Sequence, residues 1–495
     1  ISGEGHPRYH CLDAPFQDRC VQIHECLEEL FSAVESAKTF LGESAKYMTE
    51  LLLFPVLTAQ RAHQYGGDQA ADIPMPHPLF GLRESRSNGR LFCLEYNHPI
   101  FMYNQVKDYC TSPSKFIFRA MEVYCARPAI GIPTYRLLPN SMPVARFVDM
   151  AFDNYSWLSY EALKNVCCEL ASRLTTFLPR GCKVGIAGDN RLEWVVVDLS
   201  CALAGITPVG IHKSFGHKEL SYVMNNAQLQ AIFSDNEFFS IVLESLPESP
   251  VKHVIRLDST PSVLKGEESL TEIQVQLHSL EEILQSYPKG GGDFEGSVGE
   301  EAEPESLFAV LYTSGSTGVP KGVMVTMKMF LEEISSSGFM DVHPLCTVSY
   351  IPLSHSTDRM RIWETMGQGG RVGFVNYHYS NWVDHETLKK DQLLQERGEG
   401  STNNVETMLQ DVENLKPTIF IAPPQIWSGL YEIFLRWRDE ALSQGKDRRD
   451  AEEHAQQLVR RAVGNRVCHA ATGGAPTPAC VLSFIQSTFK DAKFV

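Results

Sequence analysis

Leu307-Phe308-Ala309-Val310-Leu311-Tyr312 runs straight into Thr313-Ser314-Gly315-Ser316-Thr317-Gly318-Val319-Pro320-Lys321-Gly322-Val323. An apolar strand meets a loop of small hydroxylated residues and glycines, closed by a lysine. Glycines let the backbone approach a polyphosphate and turn several N–H groups toward it. Ser and Thr hydroxyls add donors or reach Mg²⁺, and Lys321 supplies a compact positive charge. The spacing is not that of the common P-loop, because Pro320 stands where a Gly is required and Gly322 where a Ser or Thr is required. Any one of these features could belong to a flexible Ser/Gly turn. In this order, after an apolar strand, they point to a polyphosphate site.

Outward from the loop, 183–187, 207–211 and 230–233 read as short buried strands, and 158–177, 194–204 and 218–225 as helices. Strands alternating with helices imply right-handed crossovers and a largely parallel sheet, hence an α/β fold with helices flanking the sheets. The 313–321 loop is expected between a strand and a helix, open to a cleft. His355 follows an apolar run, and Gly473-Gly474-Ala475-Pro476 follows another. A histidine in such a place can be a hydrogen-bonded structural residue, and a Gly-Gly pair can be a simple turn. Trp194 and Trp427 read as core aromatics.

The 495 residues are 43% hydrophobic and 10% aromatic, enough for a sizeable core. The net charge of −16 argues against a nucleic-acid binder, which would carry a basic field. The thirteen scattered cysteines, with no Cys-x-x-Cys, fit a reducing compartment better than a disulfide framework. The apolar run at 51–57 is far shorter than the roughly 20 residues of a membrane span. Residues 1–114 read as a helical and irregular extension, with helical spacing from about Cys20 to Leu41 broken by Gly66-Gly67 and the prolines at 74, 76 and 78. A helix packed on its own domain is the plainer reading there; a partner-facing or membrane-surface helix is the other. The acidic, Gly-rich stretch 288–305 reads as a solvated linker, and 385–413 as a polar surface loop with some helix.

The 313–323 string resembles the signature loop of the adenylate-forming superfamily, which includes acyl-CoA synthetases, luciferases and the adenylation domains of carboxylic acid reductases. Four further stretches agree in order. Asn190-Arg191-Leu192-Glu193-Trp194, after Gly185-Ile186, resembles the Asn-x-x-Glu-Trp stretch of long-chain synthetases. Ser349-Tyr350-Ile351-Pro352-Leu353-Ser354-His355 is similar to their Leu-Pro-Leu-x-His segment, and the stretch from Pro417 to Trp427 to their Pro-Thr-x-Phe segment. Thr472-Gly473-Gly474-Ala475-Pro476 resembles the turn that faces the adenine. The resemblance covers about residues 115–495, expected to be the family's large domain.

The resemblance implies ATP-dependent activation of a long-chain carboxylic acid. A carboxylate attacks the α-phosphorus of MgATP, releasing pyrophosphate, and a thiol of CoA or of a phosphopantetheine arm then displaces AMP. Thr313 would help hold Mg²⁺. Ser314, Gly315, Ser316, Thr317 and Gly318 would cradle phosphates, and Lys321 would add charge. His355 would lie by the carboxylate and adenylate, and Gly473, Gly474, Ala475 and Pro476 by the adenine. It also implies segments beyond Val495 that supply a Mg²⁺ glutamate, a ribose aspartate and an adenylation lysine. The sequence is therefore expected to be a fragment, an incompletely read gene or a degenerate paralogue, poor in turnover by itself. Two alternatives stand beside the synthetase reading: the adenylation domain of a carboxylic acid reductase-like protein, and a non-catalytic ATP-binding paralogue. The expected location is the cytoplasm or the cytosolic face of an organelle membrane, with peripheral association as an option and targeting unread because the sequence opens on Ile1.

Overall fold

The computed structural model describes residues 82–85, 90–93, 106, 112–137, 142–259, 274–285, 303–313, 319–335, 345–375 and 404–494. The chain divides into two units, 1–102 and 103–495, and the Pro113–Val123 helix falls whole within the second. In the first unit β1 (Leu82–Ser85) and β2 (Arg90–Cys93) pair antiparallel. The helical spacing read between Cys20 and Leu41, the apolar run at 51–57 and most of the 288–305 and 385–413 stretches lie outside the described residues.

The strands of the second unit are β3 (Pro128–Pro133), β4 (Met150–Phe152), β5 (Tyr155–Ser159), β6 (Lys183–Ala187), β7 (Thr207–Ile211), β8 (Leu229–Ser234), β9 (His253–Arg256), β10 (Gln276–Ser279), β11 (Leu307–Thr313), β12 (Lys321–Thr326), β13 (Cys346–Ser349), β14 (Arg371–Phe374), β15 (Ile419–Ala422), β16 (His469–Thr472) and β17 (Lys493–Phe494). They form a seven-stranded sheet, β10-β9-β8-β6-β7-β11-β12, and an eight-stranded sheet, β17-β16-β15-β13-β14-β3-β5-β4. Both are mainly parallel, as the helix–strand alternation predicts. The antiparallel pairs are β3–β5, β4–β5 and β11–β12.

Residues 184–187 of β6 and 208–211 of β7 are continuous apolar runs because helices cover both faces of their sheet, and β7 is buried throughout. The Leu192–Ala204 helix shows the same logic in helical form, with every residue but Ala202 buried. It packs with the Pro113–Val123, Tyr160–Leu174 and Ser356–Gly367 helices in one apolar layer. Trp194 and Trp427 are core side chains, at 1% and 0% exposure.

Two expectations need correction. The helix read over 158–177 begins at Tyr160, because Ser159 caps it by accepting the Ala162 N–H at 3.0 Å, and the residues before it form β5. The 313–321 loop does not join a strand to a helix. It is the tip of a β11–β12 hairpin, with Thr313 paired to Lys321, and the Met327–Ser335 helix starts only after β12. Lys321-Gly322-Val323-Met324-Val325-Thr326 carries alternate β-branched residues that suit a strand, and β12 takes the edge of its sheet. No helix among the described residues is long and apolar enough to cross a membrane.

Candidate active site at the meeting of two sheets

β7 and the segment after β13 touch almost backbone to backbone. A Cβ built on Gly210 would lie 2.9 Å from both the Cα and the carbonyl oxygen of Ser354, so only glycine fits. Around this contact, side chains from the carboxyl ends of strands in both sheets converge.

Asn190, just past β6, stitches the segment from one side. Its Nδ2 donates to Ser349 Oγ at 3.0 Å and to the Ile351 carbonyl at 2.8 Å, and its Oδ1 accepts the Leu353 N–H at 3.1 Å. Asp358, in the first turn of the Ser356–Gly367 helix, holds it from the other. Asp358 Oδ2 accepts from Ser349 Oγ at 3.0 Å, Tyr350 N at 2.8 Å and Ile351 N at 2.9 Å. Burial pushes the Asp358 carboxyl up to about 6, opposed by these three donors and by Arg361. The Asn-x-x-Glu-Trp stretch thus has a structural account. Asn190 braces the histidine segment, and Glu193 accepts from Arg191 at 2.7 Å and from the Val144 N–H at 3.2 Å.

The raised carboxyl sets a pH dependence. A group that binds its proton more tightly in the fold than in the unfolded chain favours the fold below its unfolded value, near 4, and that advantage fades as pH rises through about 6. Asp358→Asn removes the effect. The stability deficit of the variant relative to wild type should therefore narrow by about 2 kcal/mol between pH 4.5 and pH 7, read from urea midpoints. A deficit that is flat or widens over that range contradicts the assignment.

His355 sits at the N-terminal boundary of the Ser356–Gly367 helix, exposed, with its ring centroid 4.4 Å from that of His212. Burial of its packed side and then the His212 ring push it down to about 4, so it is neutral at pH 7. His212 is buried one residue beyond β7. Its Nε2 lies 2.6 Å from the Tyr312 carbonyl oxygen and its Nδ1 2.9 Å from Ser354 Oγ. Tyr312 leads directly to Thr313, which pairs with Lys321. His355, His212, Thr313 and Lys321 are therefore linked by short contacts at one end of the first sheet. Thr313 and Lys321 are exposed, and Ser314, Gly315, Ser316, Thr317 and Gly318 lie outside the described residues.

The turn at Gly473, Gly474, Ala475 and Pro476 is exposed at the carboxyl end of β16, two strands from β13 in the second sheet. Gly474 has φ +86°, and neither glycine would bring a Cβ within 4 Å of other atoms, which leaves open space over the turn. The Thr472 and Thr477 hydroxyls, 2.8 Å apart, close it. Among the described residues, Asp189, Asp235 and Glu237 make the one cluster with metal-ligand geometry, and Lys213 already fills it. Burial works to lower the Lys213 ammonium, but Asp235, Asp189 and Glu237 raise it on balance, so it stays charged and occupies the place a cation would take.

The sequence reading singled out His355 and Lys321 but passed over His212. The available signal was slight: Ile211-His212 ends a strand much as Ser354-His355 follows one.

Residues 140–390 match the family described as "AMP-binding enzyme". Among similar proteins, fatty acyl-CoA synthetase A of Dictyostelium discoideum is 27% identical over 287 residues, covering 56% of this chain and 38% of the relative. Long-chain-fatty-acid–CoA ligase 1 of Cavia porcellus is 24% identical over 376 residues, covering 67% of this chain and 47% of the relative. The chain thus spans about half the length of such relatives, or less. The adenylation domain of a carboxylic acid reductase from Segniliparus rugosus, solved with AMP and a co-purified carboxylic acid, superposes with a TM-score of 0.60 at 17% identity, covering 79% of this chain and 61% of that one. At that identity the likeness concerns the fold.

Proposed function

Because the chain belongs to the AMP-binding enzyme family, we propose that a protein carrying it activates a long-chain carboxylic acid with ATP and transfers the acyl group to the thiol of CoA. The observation that carries this reading is the linkage of His355, through His212 and Tyr312, to the hairpin end that bears Thr313 and Lys321. Two substrates must meet in this reaction, and two sets of side chains from different sheets meet here. The similarity to long-chain fatty acyl-CoA synthetases supports the acid class and the CoA acceptor.

The carboxylate oxygen attacks the α-phosphorus and pyrophosphate leaves; the thiol then attacks the acyl carbon, loses its proton and displaces AMP. The first step asks little covalent work of the protein and much charge stabilisation. Lys321, exposed at the hairpin tip, suits the departing pyrophosphate. The open turn over Gly473 and Gly474 has room for a flat base. Neutral His355 can accept or donate a hydrogen bond near the carboxylate without adding a charge. The Thr313 hydroxyl fits Mg²⁺, an oxygen-seeking ion that takes few protein ligands and completes its shell from phosphate and water. Bound there, Mg²⁺ would neutralise phosphate charge.

Carboxylate-dependent ATP–pyrophosphate exchange, measured on the full-length protein that carries this sequence, tests the proposal. Exchange should appear with long-chain acids, and Lys321→Ala should lower kcat/KM for ATP about 10²- to 10³-fold, as loss of one donor to a developing oxyanion does. Absence of exchange with acids of any chain length, or an unaffected Lys321→Ala, would sink it. Supplying CoA or a phosphopantetheinylated carrier protein as acceptor identifies the thiol.

A further inference from the structure

We propose that His212 is a positioning residue, tying the last strand residue before Thr313 to the segment that bears His355 and so fixing the separation of the groups that act on the two substrates. The role rests on the reaction proposed above.

The parallel ladder between β7 and β11 runs through Val209–Val310 and Gly210–Leu311. Past it, the His212 side chain takes over by engaging the Tyr312 carbonyl at 2.6 Å. A carbonyl oxygen only accepts, so Nε2 must carry the proton. In the neutral ring Nδ1 is then an acceptor, and Ser354 Oγ–H donates to it at 2.9 Å. The bonding fixes one tautomer and one ring orientation. Phe215 meets the ring edge-on at 5.1 Å, and His355 lies against it at 4.4 Å. Burial lowers the His212 pKa, with the Tyr312 hydrogen bond in opposition, which agrees with a neutral ring.

The tie joins elements far apart in sequence. Tyr312 lies on the strand entering the phosphate loop, and Ser354 precedes His355. If the loop holds ATP and His355 lies by the carboxylate, the His212 bonds set the approach of nucleophile to phosphorus. Such placement acts on the chemical step more than on binding of either substrate, and a displacement of about 1 Å can cost on the order of 10²-fold in rate.

The test compares wild type with His212→Phe, His212→Gln and Ser354→Ala, each checked for an unchanged melting temperature. Phe keeps the ring packing and loses both hydrogen bonds. It should lower kcat for exchange about 10- to 100-fold while leaving KM for ATP and for the acid within about threefold. Gln can still donate to the Tyr312 carbonyl and should recover kcat to within about fivefold of wild type. Ser354→Ala removes one leg of the tie and should cost about three- to tenfold; it carries the test should His212→Phe fail to fold. Nitrogen-15 NMR of histidine-labelled protein, with the His212 signals assigned by their loss in His212→Gln, should show a neutral ring protonated at Nε2 at pH 7. Wild-type kcat in His212→Phe, a loss confined to KM, or a ring protonated at Nδ1 overturns the proposal. If wild type shows no exchange at all, the proposed reaction fails, and the NMR signature alone then decides whether His212 forms the tie.

Discussion

Asp198→Ala should destabilise the protein by about 3–5 kcal/mol, the usual cost of stranding a buried charge. Asp198 and Arg359 are each 3% exposed. The carboxylate accepts Arg359 Nη2 at 2.6 Å, Arg359 Nε at 3.0 Å and Trp363 Nε1 at 3.0 Å. Arg359 also stacks over Phe308 at 5.1 Å, so one cluster joins the Leu192–Ala204 helix, the Ser356–Gly367 helix and β11. Removing the acid leaves a guanidinium and an indole N–H in an apolar layer without their acceptor. The destabilisation is read from the urea midpoint at constant slope. Replacing both partners, Asp198→Leu with Arg359→Met, should cost far less than the single change, because no charge is then left buried. A single variant within about 1 kcal/mol of wild type would mean that water reaches the layer.

Gly210→Ala is the second large effect, and it falls on activity more than on stability. The added methyl would meet Ser354 Cα and its carbonyl oxygen at 2.9 Å, and backbone atoms cannot swing aside as a flexible side chain can. Overpacking of this kind costs about 1–3 kcal/mol. Relief comes by pushing the Ser354-His355 segment away from β7, which stretches the His212–Ser354 bond at the place where the two substrates are proposed to meet. Carboxylate-dependent exchange should fall on the order of 10²-fold while the protein still melts cooperatively. Unchanged exchange in a folded Gly210→Ala protein would show that the two sheets can part here without consequence.

β6 and β7 were legible to the residue because a strand covered on both faces is apolar at successive positions, as in 184–187 and 208–211. β12 was not. It lies at a sheet edge with Lys321, Gly322, Val323 and Met324 exposed, so burial imposes no pattern on it. β5 was not legible, and its last two residues, Leu158 and Ser159, read as part of the helix that follows, because all five of its residues are buried, which erases the alternation that separates strand from helix. At the site, Lys321 and His355 stand in contiguous strings whose residue types suggest their chemistry. His212 does not: its partners Tyr312 and Ser354 are 100 and 142 residues away, and nothing in its neighbours announces them. The same holds for Asp358 and Asn190, whose work is to hold a backbone segment, a task many polar residues could perform elsewhere.

The order in which strands enter the two sheets also governs how the chain can fold as it is made. The seven-stranded sheet is drawn from one uninterrupted stretch, β6 to β12, whereas the eight-stranded sheet takes β3, β4 and β5 from before that stretch and β13 to β17 from after it. Ile130 pairs with Val372. On a ribosome adding 5–20 residues per second, the edge of β3 therefore waits about 10–50 s, while about 240 further residues emerge, before its parallel neighbour exists. The intervening sheet can close during that interval; β3 cannot. Until then it has only β5 beside it, and its other edge presents an open row of backbone donors and acceptors to every other nascent chain nearby.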